Sequence, residues 1–209
     1  WMPYTGNRQF KNQPRMMASA KGAYYFDAEG RKIFDGLSGL WTCGLGHGRE
    51  EITAAVSAQM SSLDYSPGFQ YGHELSFELA NKVVELTPSS LDHVFFTDSG
   101  SETIDTALKM ARGYWRSKGR PGKSKFIGRI KGYHGVNYGG VGVGGIGFNR
   151  KLFGQSVDAD HICDTLLDEN KFSRGMPAVG AHLADELEKL VQLHDASNIA
   201  AVIVEPLSG

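Results

Sequence analysis

Apolar residues recur along this chain at two periods, and the change from one to the other marks its organisation. Residues 23–26 (Ala-Tyr-Tyr-Phe) and 31–35 (Arg-Lys-Ile-Phe-Asp) flank Asp27-Ala28-Glu29-Gly30, which predicts a β-hairpin with a four-residue turn. A glycine-rich loop through Trp41 and Gly46-His47-Gly48 follows. Glu50–Leu63 then has Ile52, Val56 and Met60 at i, i+4 and i+8, a helical period. After Pro67-Gly68, the stripe Leu75, Leu79, Val83 and Leu86 predicts a second helix, ended by Pro88. Beyond residue 92 strands and helices alternate. His93–Thr97, Lys125–Ile130 and Ile199–Val204 read as buried strands. Glu102–Ser117, with Ile104, Ala107, Leu108, Ala111 and Trp115 on one face, reads as a helix. So does Ala181–His194, with Leu183, Leu187, Leu190 and Val191 inward. Strand–helix–strand spacing of this kind implies an α/β fold with parallel pairing and right-handed crossovers.

Composition narrows the function. Twenty-two basic against 23 acidic residues give a net charge of -1, which implies no basic face and no nucleic-acid partner. Only Cys43 and Cys163 are present, far apart, and no His-x-x-x-His spacing occurs. A disulfide scaffold and a zinc helix are therefore not expected, and a reducing, cytoplasmic setting is. Glycine is in excess, 27 of 209 residues, or about 13% against a usual level of roughly 7%. Eight of these fall in the sixteen residues Gly132–Gly147, within an uncharged stretch from 132 to 149. So much glycine makes a poor membrane helix, and no membrane span is expected. The chain opens Trp1-Met2-Pro3-Tyr4, with no visible signal peptide, and both ends read as cut, as in a piece of a longer protein.

In open α/β sheets ligands bind beyond the carboxyl ends of the strands. After the first predicted strand comes Asp98-Ser99-Gly100-Ser101, opening a helix. Free N–H groups, a glycine and two hydroxyls make an anion cradle, although ordinary capping by Ser99 or Ser101 accounts for the same residues. After the second comes Lys131-Gly132-Tyr133-His134-Gly135, an aromatic face and an imidazole between glycines, or simply a turn whose Tyr covers the core edge. After the third comes Glu205-Pro206, a carboxylate closing an apolar strand, or a half-exposed strand end. Together they place phosphate donors, an aromatic face and a carboxylate on one rim.

Competing strings fail on context. Gly142-x-Gly144-x-x-Gly147 matches the dinucleotide fingerprint, but no helix of apolar period is expected after it. Gly122-Lys123-Ser124 resembles a P-loop ending, yet position 117 is Ser and a strand is expected to follow. No Gly-x-Ser-x-Gly elbow exists.

Phe95-Phe96-Thr97-Asp98-Ser99-Gly100-Ser101-Glu102, Asp105-Thr106-Ala107-Leu108-Lys109, Gly132-Tyr133-His134-Gly135 and Val204-Glu205-Pro206, in this order, resemble the class III pyridoxal-phosphate aminotransferases. Leu37-Ser38-Gly39-Leu40-Trp41, Pro67-Gly68-Phe69-Gln70 and Val143–Lys151 are similar to the ω-amino acid–pyruvate (β-alanine–pyruvate) subgroup. The resemblance implies fold type I, with residues 1–64 in a small α+β domain and 65–209 opening the large, mostly parallel cofactor domain. It implies pyridoxal phosphate held by Ser99, Gly100 and Ser101, with Tyr133 stacked on the pyridine face, His134 beside it and Glu205 close by. Trp41 and Phe69 would line the substrate pocket, and the assembly would be a homodimer or a tetramer. Asp98 departs from the family, which usually carries Asn there. None of the twelve lysines has the family's Schiff-base context, so that Lys is expected beyond Gly209 and this piece alone is expected to be inactive. The alternatives are another class III enzyme, such as an aminomutase, or a nucleotide-binding domain using Gly142–Gly147.

Overall fold

The computed structural model describes residues 1–207 and separates the chain into two units, Trp1–Asp92 and His93–Gly209. In the first, α1 (Asn7–Asn12) precedes a three-stranded antiparallel sheet of β1 (Met17–Lys21), β2 (Tyr24–Asp27) and β3 (Lys32–Phe34). The expected hairpin is β2–β3, with Tyr25 opposite Ile33. Its turn is fixed by Asp27, whose Oδ1 accepts the Arg31 N–H at 2.8 Å and whose Oδ2 meets Arg31 Nε at 2.5 Å. The added strand β1 has no strong period, which is why its alternation goes unread in the sequence.

The next element, α2 (Ser38–Trp41), is helical in the opposite hand. Ser38, Gly39, Leu40 and Trp41 have φ of +49°, +61°, +64° and +67°. Three of these four residues carry side chains, and L-residues held there cost roughly 1–2 kcal/mol each. Helices α3 (Glu50–Ser62) and α4 (Glu74–Val84) form as their apolar stripes predict, and Ile52, Val56, Met60, Leu75 and Leu79 are exposed.

The second unit holds α5 (Gly100–Ser117), β4 (Lys125–Arg129), α6 (Tyr138–Val143), α7 (Gly147–Phe153), β5 (Ala159–Ile162), α8 (Glu186–His194) and β6 (Ile199–Val202). Its sheet is parallel, in the order β5-β4-β6. The central strand is deepest, with Phe126 and Ile127 fully buried. Leu108 of α5, Val143, Ala159 and Ala200 join Phe126 in one apolar cluster, with Ile104, Ala111 and Trp115 packed against it. Burying a side chain of the size of Phe126 is worth about 1.5–3 kcal/mol.

Three expectations are corrected. Residues 93–97 form no strand, because an apolar run needs a neighbour to exchange hydrogen bonds with and β4, β5 and β6 pair among themselves. The strand predicted at 199–204 ends at Val202 and is buried only at Ile199 and Ala200, because β6 is an edge of the described sheet. The helix predicted over 181–194 begins as a 3-10 turn, Ala181–Asp185, after Gly180 at φ +139°, and turns α-helical only at Glu186. Among the described residues no helix is long and apolar enough to cross a membrane, and no cluster of His, Cys, Asp and Glu could hold a metal ion.

Helix α5 is fastened to β6 by one bond between residues 85 apart, the Trp115 indole N–H donating to the Ala200 carbonyl at 2.7 Å. Trp115→Phe keeps most of the apolar contact but leaves that carbonyl without its donor, and is expected to cost about 1–2 kcal/mol. The denaturation midpoint of the intact protein checks this, with the slope unchanged.

Candidate functional site

Strands β4 and β6 are parallel neighbours, so the segments leaving their carboxyl ends emerge on the same edge. Beyond β4 the chain turns at Lys131, at φ +65°, into Gly132-Tyr133-His134-Gly135. Beyond β6 comes Glu205, and its Oε1 accepts the Tyr133 N–H at 3.2 Å. The two segments are thus tied together where the sequence places them.

The N-terminus of α5 meets the same loop. Val136 N–H donates to Ser101 Oγ at 2.9 Å. Gly135, at φ +97°, makes this approach possible, since a Cβ there would lie 2.6 Å from that oxygen. The helix start is capped reciprocally. Glu102 N–H donates to Ser99 Oγ and Asp98 N–H donates to Glu102 Oε2, both at 3.1 Å. Capping and anion binding are therefore compatible here. Ser99 and Ser101 accept through their oxygens and keep their hydroxyl protons to donate, while the N–H groups of Gly100 and Ser101 have no acceptor within the helix. A Cβ at Gly100 would meet nothing within 4 Å, so the helix end is open to a ligand. Asp98 is exposed.

Glu205 is the electrostatic centre of the rim. Arg129, the last residue of β4, lies 3.2 Å from its Oε2 and donates to its backbone carbonyl at 2.9 Å. Their side chains are only 12% and 16% exposed. Burial by itself would raise the Glu205 carboxyl. Donation from its own and the Tyr133 N–H groups, with the charge of Arg129, outweighs it and holds the carboxyl below its ordinary range. Arg129 is absent from the residues singled out in the sequence. The signal was an arginine in the apolar run Phe126-Ile127-Gly128-Arg129-Ile130, two positions before the rim loop that begins at Lys131.

Tyr133 and His134 part company. The Tyr133 side chain is exposed (53%), free to offer a ring face. His134 is buried, with Nε2 4.0 Å from Glu205 Oε2, and burial holds its imidazole below the usual histidine value and hence neutral at neutral pH. Lys131, beside the rim, is exposed and pairs with Asp164 at 3.3 Å. Trp41 and Phe69 belong to the Trp1–Asp92 unit, where both are exposed.

The glycine run is the scaffold beneath. Gly145 N–H donates to the Gly132 carbonyl at 2.8 Å, and Lys131 N–H donates to Gly145 at 2.9 Å. A Cβ on Gly145 would run into the Arg129 carbonyl oxygen. Contrary to expectation a helix, α7, does follow the Gly142–Gly147 string. The element before it is helix α6 and not a strand, so the dinucleotide context is still missing. Arg150 of α7 donates to the Gly142 carbonyl at 2.7 Å and His161 meets that of Gly144 at 2.8 Å, which occupies the carbonyls of the string within the fold.

A parallel α/β sheet with a helix start, an exposed aromatic and a paired carboxylate on its carboxyl edge defines a ligand-binding rim of the kind that handles small phosphorylated groups. The family profile described as "Aminotransferase class-III" matches residues 5–209, and the chain belongs to this family. It is 62% identical, over its whole length, to the omega-amino acid–pyruvate aminotransferase of Pseudomonas putida, of which it covers 47%. It is 60% identical to the beta-alanine–pyruvate aminotransferase of Pseudomonas aeruginosa, again covering all of this chain and 47% of the relative. The chain thus spans about half the length of the curated relatives it matches. Among solved structures, an amine transaminase from an uncultivated Pseudomonas species in its PLP-bound form superposes with a TM-score of 0.90 at 34% identity, over 100% of this chain and 48% of that one. The fold is accordingly that of the PLP-dependent transaminases, fold type I.

Proposed function

We propose that the chain is the N-terminal part of a pyridoxal-phosphate-dependent transaminase that moves an amino group from an ω-amino acid or amine, such as β-alanine, to pyruvate. Residues 1–64 belong to the small domain and 65–209 open the large one; the enzyme is cytoplasmic and a homodimer. The observation that carries this reading is the hydrogen-bonded rim, in which Ser101 joins the start of α5 to the Tyr133 loop and Glu205 joins that loop to β6.

The residues present fit the cofactor's chemistry. Pyridoxal phosphate, when bound, supplies the electron sink that protein side chains lack. Gly100 and Ser101, through N–H groups at a helix start, and the Ser99 and Ser101 hydroxyls hold the phosphate. Tyr133 covers one face of the pyridine ring. Arg129 fixes Glu205 in place and keeps it ionised, so the carboxylate remains a rigid acceptor on the rim. His134 supports the loop from below and stays neutral. Trp41 and Phe69 line the substrate pocket. The lysine that binds the cofactor covalently lies beyond Gly209, and residues 1–209 alone do not transaminate.

Titrating the intact protein with pyridoxal phosphate is expected to produce a visible absorption band. Tyr133→Ala should weaken cofactor binding by roughly two- to tenfold, the worth of one aromatic stacking contact. An intact protein that develops no band, or a Tyr133→Ala variant of unchanged affinity, defeats the assignment. Amino-acceptor profiling separates a pyruvate enzyme from an aminomutase or another class III transaminase.

A further inference from the structure

Outside the rim, the feature with the least obvious reason to exist is the left-handed turn α2. Ser38, Leu40 and Trp41 all sit at positive φ with no glycine freedom, so the turn needs outside support to keep its hand. Its internal bonds, Trp41 N–H to the Leu37 carbonyl at 2.8 Å and Thr42 N–H to that of Ser38 at 2.9 Å, do not discriminate between hands.

The support comes from one carboxylate. Asp35 Oδ2 accepts the Gly39 N–H at 2.7 Å and Oδ1 accepts the Leu37 N–H at 3.3 Å, so a single side chain grips the turn at its entry and its second residue. The same Oδ2 meets His47 Nε2 at 2.7 Å, and the Asp35 and His47 side chains are only 7% and 12% exposed. Each is itself anchored. Asp35 N–H donates to the Ala23 carbonyl at 2.9 Å. His47 exchanges two backbone bonds with Gly22, at 2.9 and 2.8 Å, and its ring lies 4.5 Å from that of Tyr25. The clamp therefore rests on the β1–β2 end of the sheet, whereas the Trp41 it supports is 76% exposed.

We propose that Asp35 and His47 are positioning residues for the substrate pocket: they hold α2 left-handed so that Trp41 presents its indole in one orientation, which sets the affinity for the amino donor. This rests on the reading of Trp41 as a pocket wall. If the turn relaxes toward the right-handed default, the Cα–Cβ direction at Trp41 changes and the donor loses a wall, with no group lost from the cofactor rim.

The test uses the intact enzyme and the variants Asp35→Asn, His47→Ala and His47→Gln, with β-alanine as donor. Asp35→Asn and His47→Ala should raise KM about tenfold with kcat within about threefold, the pattern of a lost binding contact. Hydrogen exchange in residues 36–43, measured without donor, should quicken about tenfold or more in the same two variants as the turn opens locally. His47→Gln, whose amide can still donate to Asp35 Oδ2, should restore both readouts to near the unmutated values. Should Asp35→Asn fail to fold, the two His47 variants decide alone. An unchanged KM, with or without faster exchange, overturns the proposal, and so does a fall in kcat with KM constant. The visible cofactor band of the unmutated enzyme is recorded first; its absence defeats the transaminase reading before any variant is compared.

Discussion

Glu205→Ala is expected to be the most damaging single change at the rim, costing about 3–5 kcal/mol of stability, the usual result of removing one partner of a buried ion pair. The size follows from what is left behind. Arg129, 12% exposed, would keep its charge without the carboxylate that lies 3.2 Å from it, and the Tyr133 N–H would lose its acceptor at 3.2 Å. Glu205→Gln separates the two effects, since an amide oxygen can still accept from Tyr133 but carries no charge. A pH series sharpens the test. The folded-state value of Glu205 lies below the unfolded one, so the unfolded chain binds the extra proton and the contribution of Glu205 is complete above the ordinary glutamate value of about 4.3. It is then lost as pH falls through the lowered folded value. The stability gap between the unmutated protein and Glu205→Gln, read from urea midpoints, should therefore be constant near neutrality and close in acid. A gap that persists unchanged in acid would show that the charge is not what holds the rim.

Gly145→Ala is the second large effect, and it acts through the backbone alone. The added Cβ would collide with the Arg129 carbonyl oxygen and lie 2.6 Å from Ile130 Cα and Lys131 N. None of these is the far end of a flexible side chain, so loop 129–132 must move as a whole. Overpacking ordinarily costs about 1–3 kcal/mol, and a backbone collision belongs at the top of that range or above it. The same movement would pull Tyr133 away from Glu205, so cofactor affinity should fall together with stability. Gly147→Ala is the control, because a Cβ there meets nothing within 4 Å and the position lies within α7. Equal stability of the two alanine variants would refute the account.

How legible the molecule was in its sequence depended on whether a residue's surroundings were local. Helices α3, α4 and α5 show themselves through stripes at i, i+3 and i+4, and β4 through a short apolar run between polar ends, because the period of each element is written into residues close together in the chain. The run 93–97 reads the same way and forms no strand, because pairing is a property of the neighbour and not of the run. Strand β5 escapes notice for the converse reason. Its four residues, Ala-Asp-His-Ile, carry no apolar pattern, and it is a strand because it lies beside β4. Handedness in α2 leaves no trace either, since Ser38, Leu40 and Trp41 are residues that ordinarily avoid positive φ. At the rim, the rule that ligands collect beyond strand ends is enough to single out Ser101, Tyr133 and Glu205. It does not single out Arg129, whose role is defined by a partner 76 residues further on.

That separation has a consequence for the order in which the molecule can form. Each strand of the β1–β3 sheet pairs with its immediate successor, within some ten residues, so this sheet can assemble as soon as it leaves the ribosome. The parallel sheet has no such freedom. Its central strand, β4, pairs on one side with residues about 33 positions later and on the other with residues about 75 later. Tyr133 must wait for Glu205, 72 residues on. During synthesis at about 5–20 residues per second the rim loop therefore spends several seconds without the carboxylate that fastens it. Over that interval Phe126 and Ile127, fully buried among the described residues, have only part of their cover, which leaves the growing chain open to aggregation.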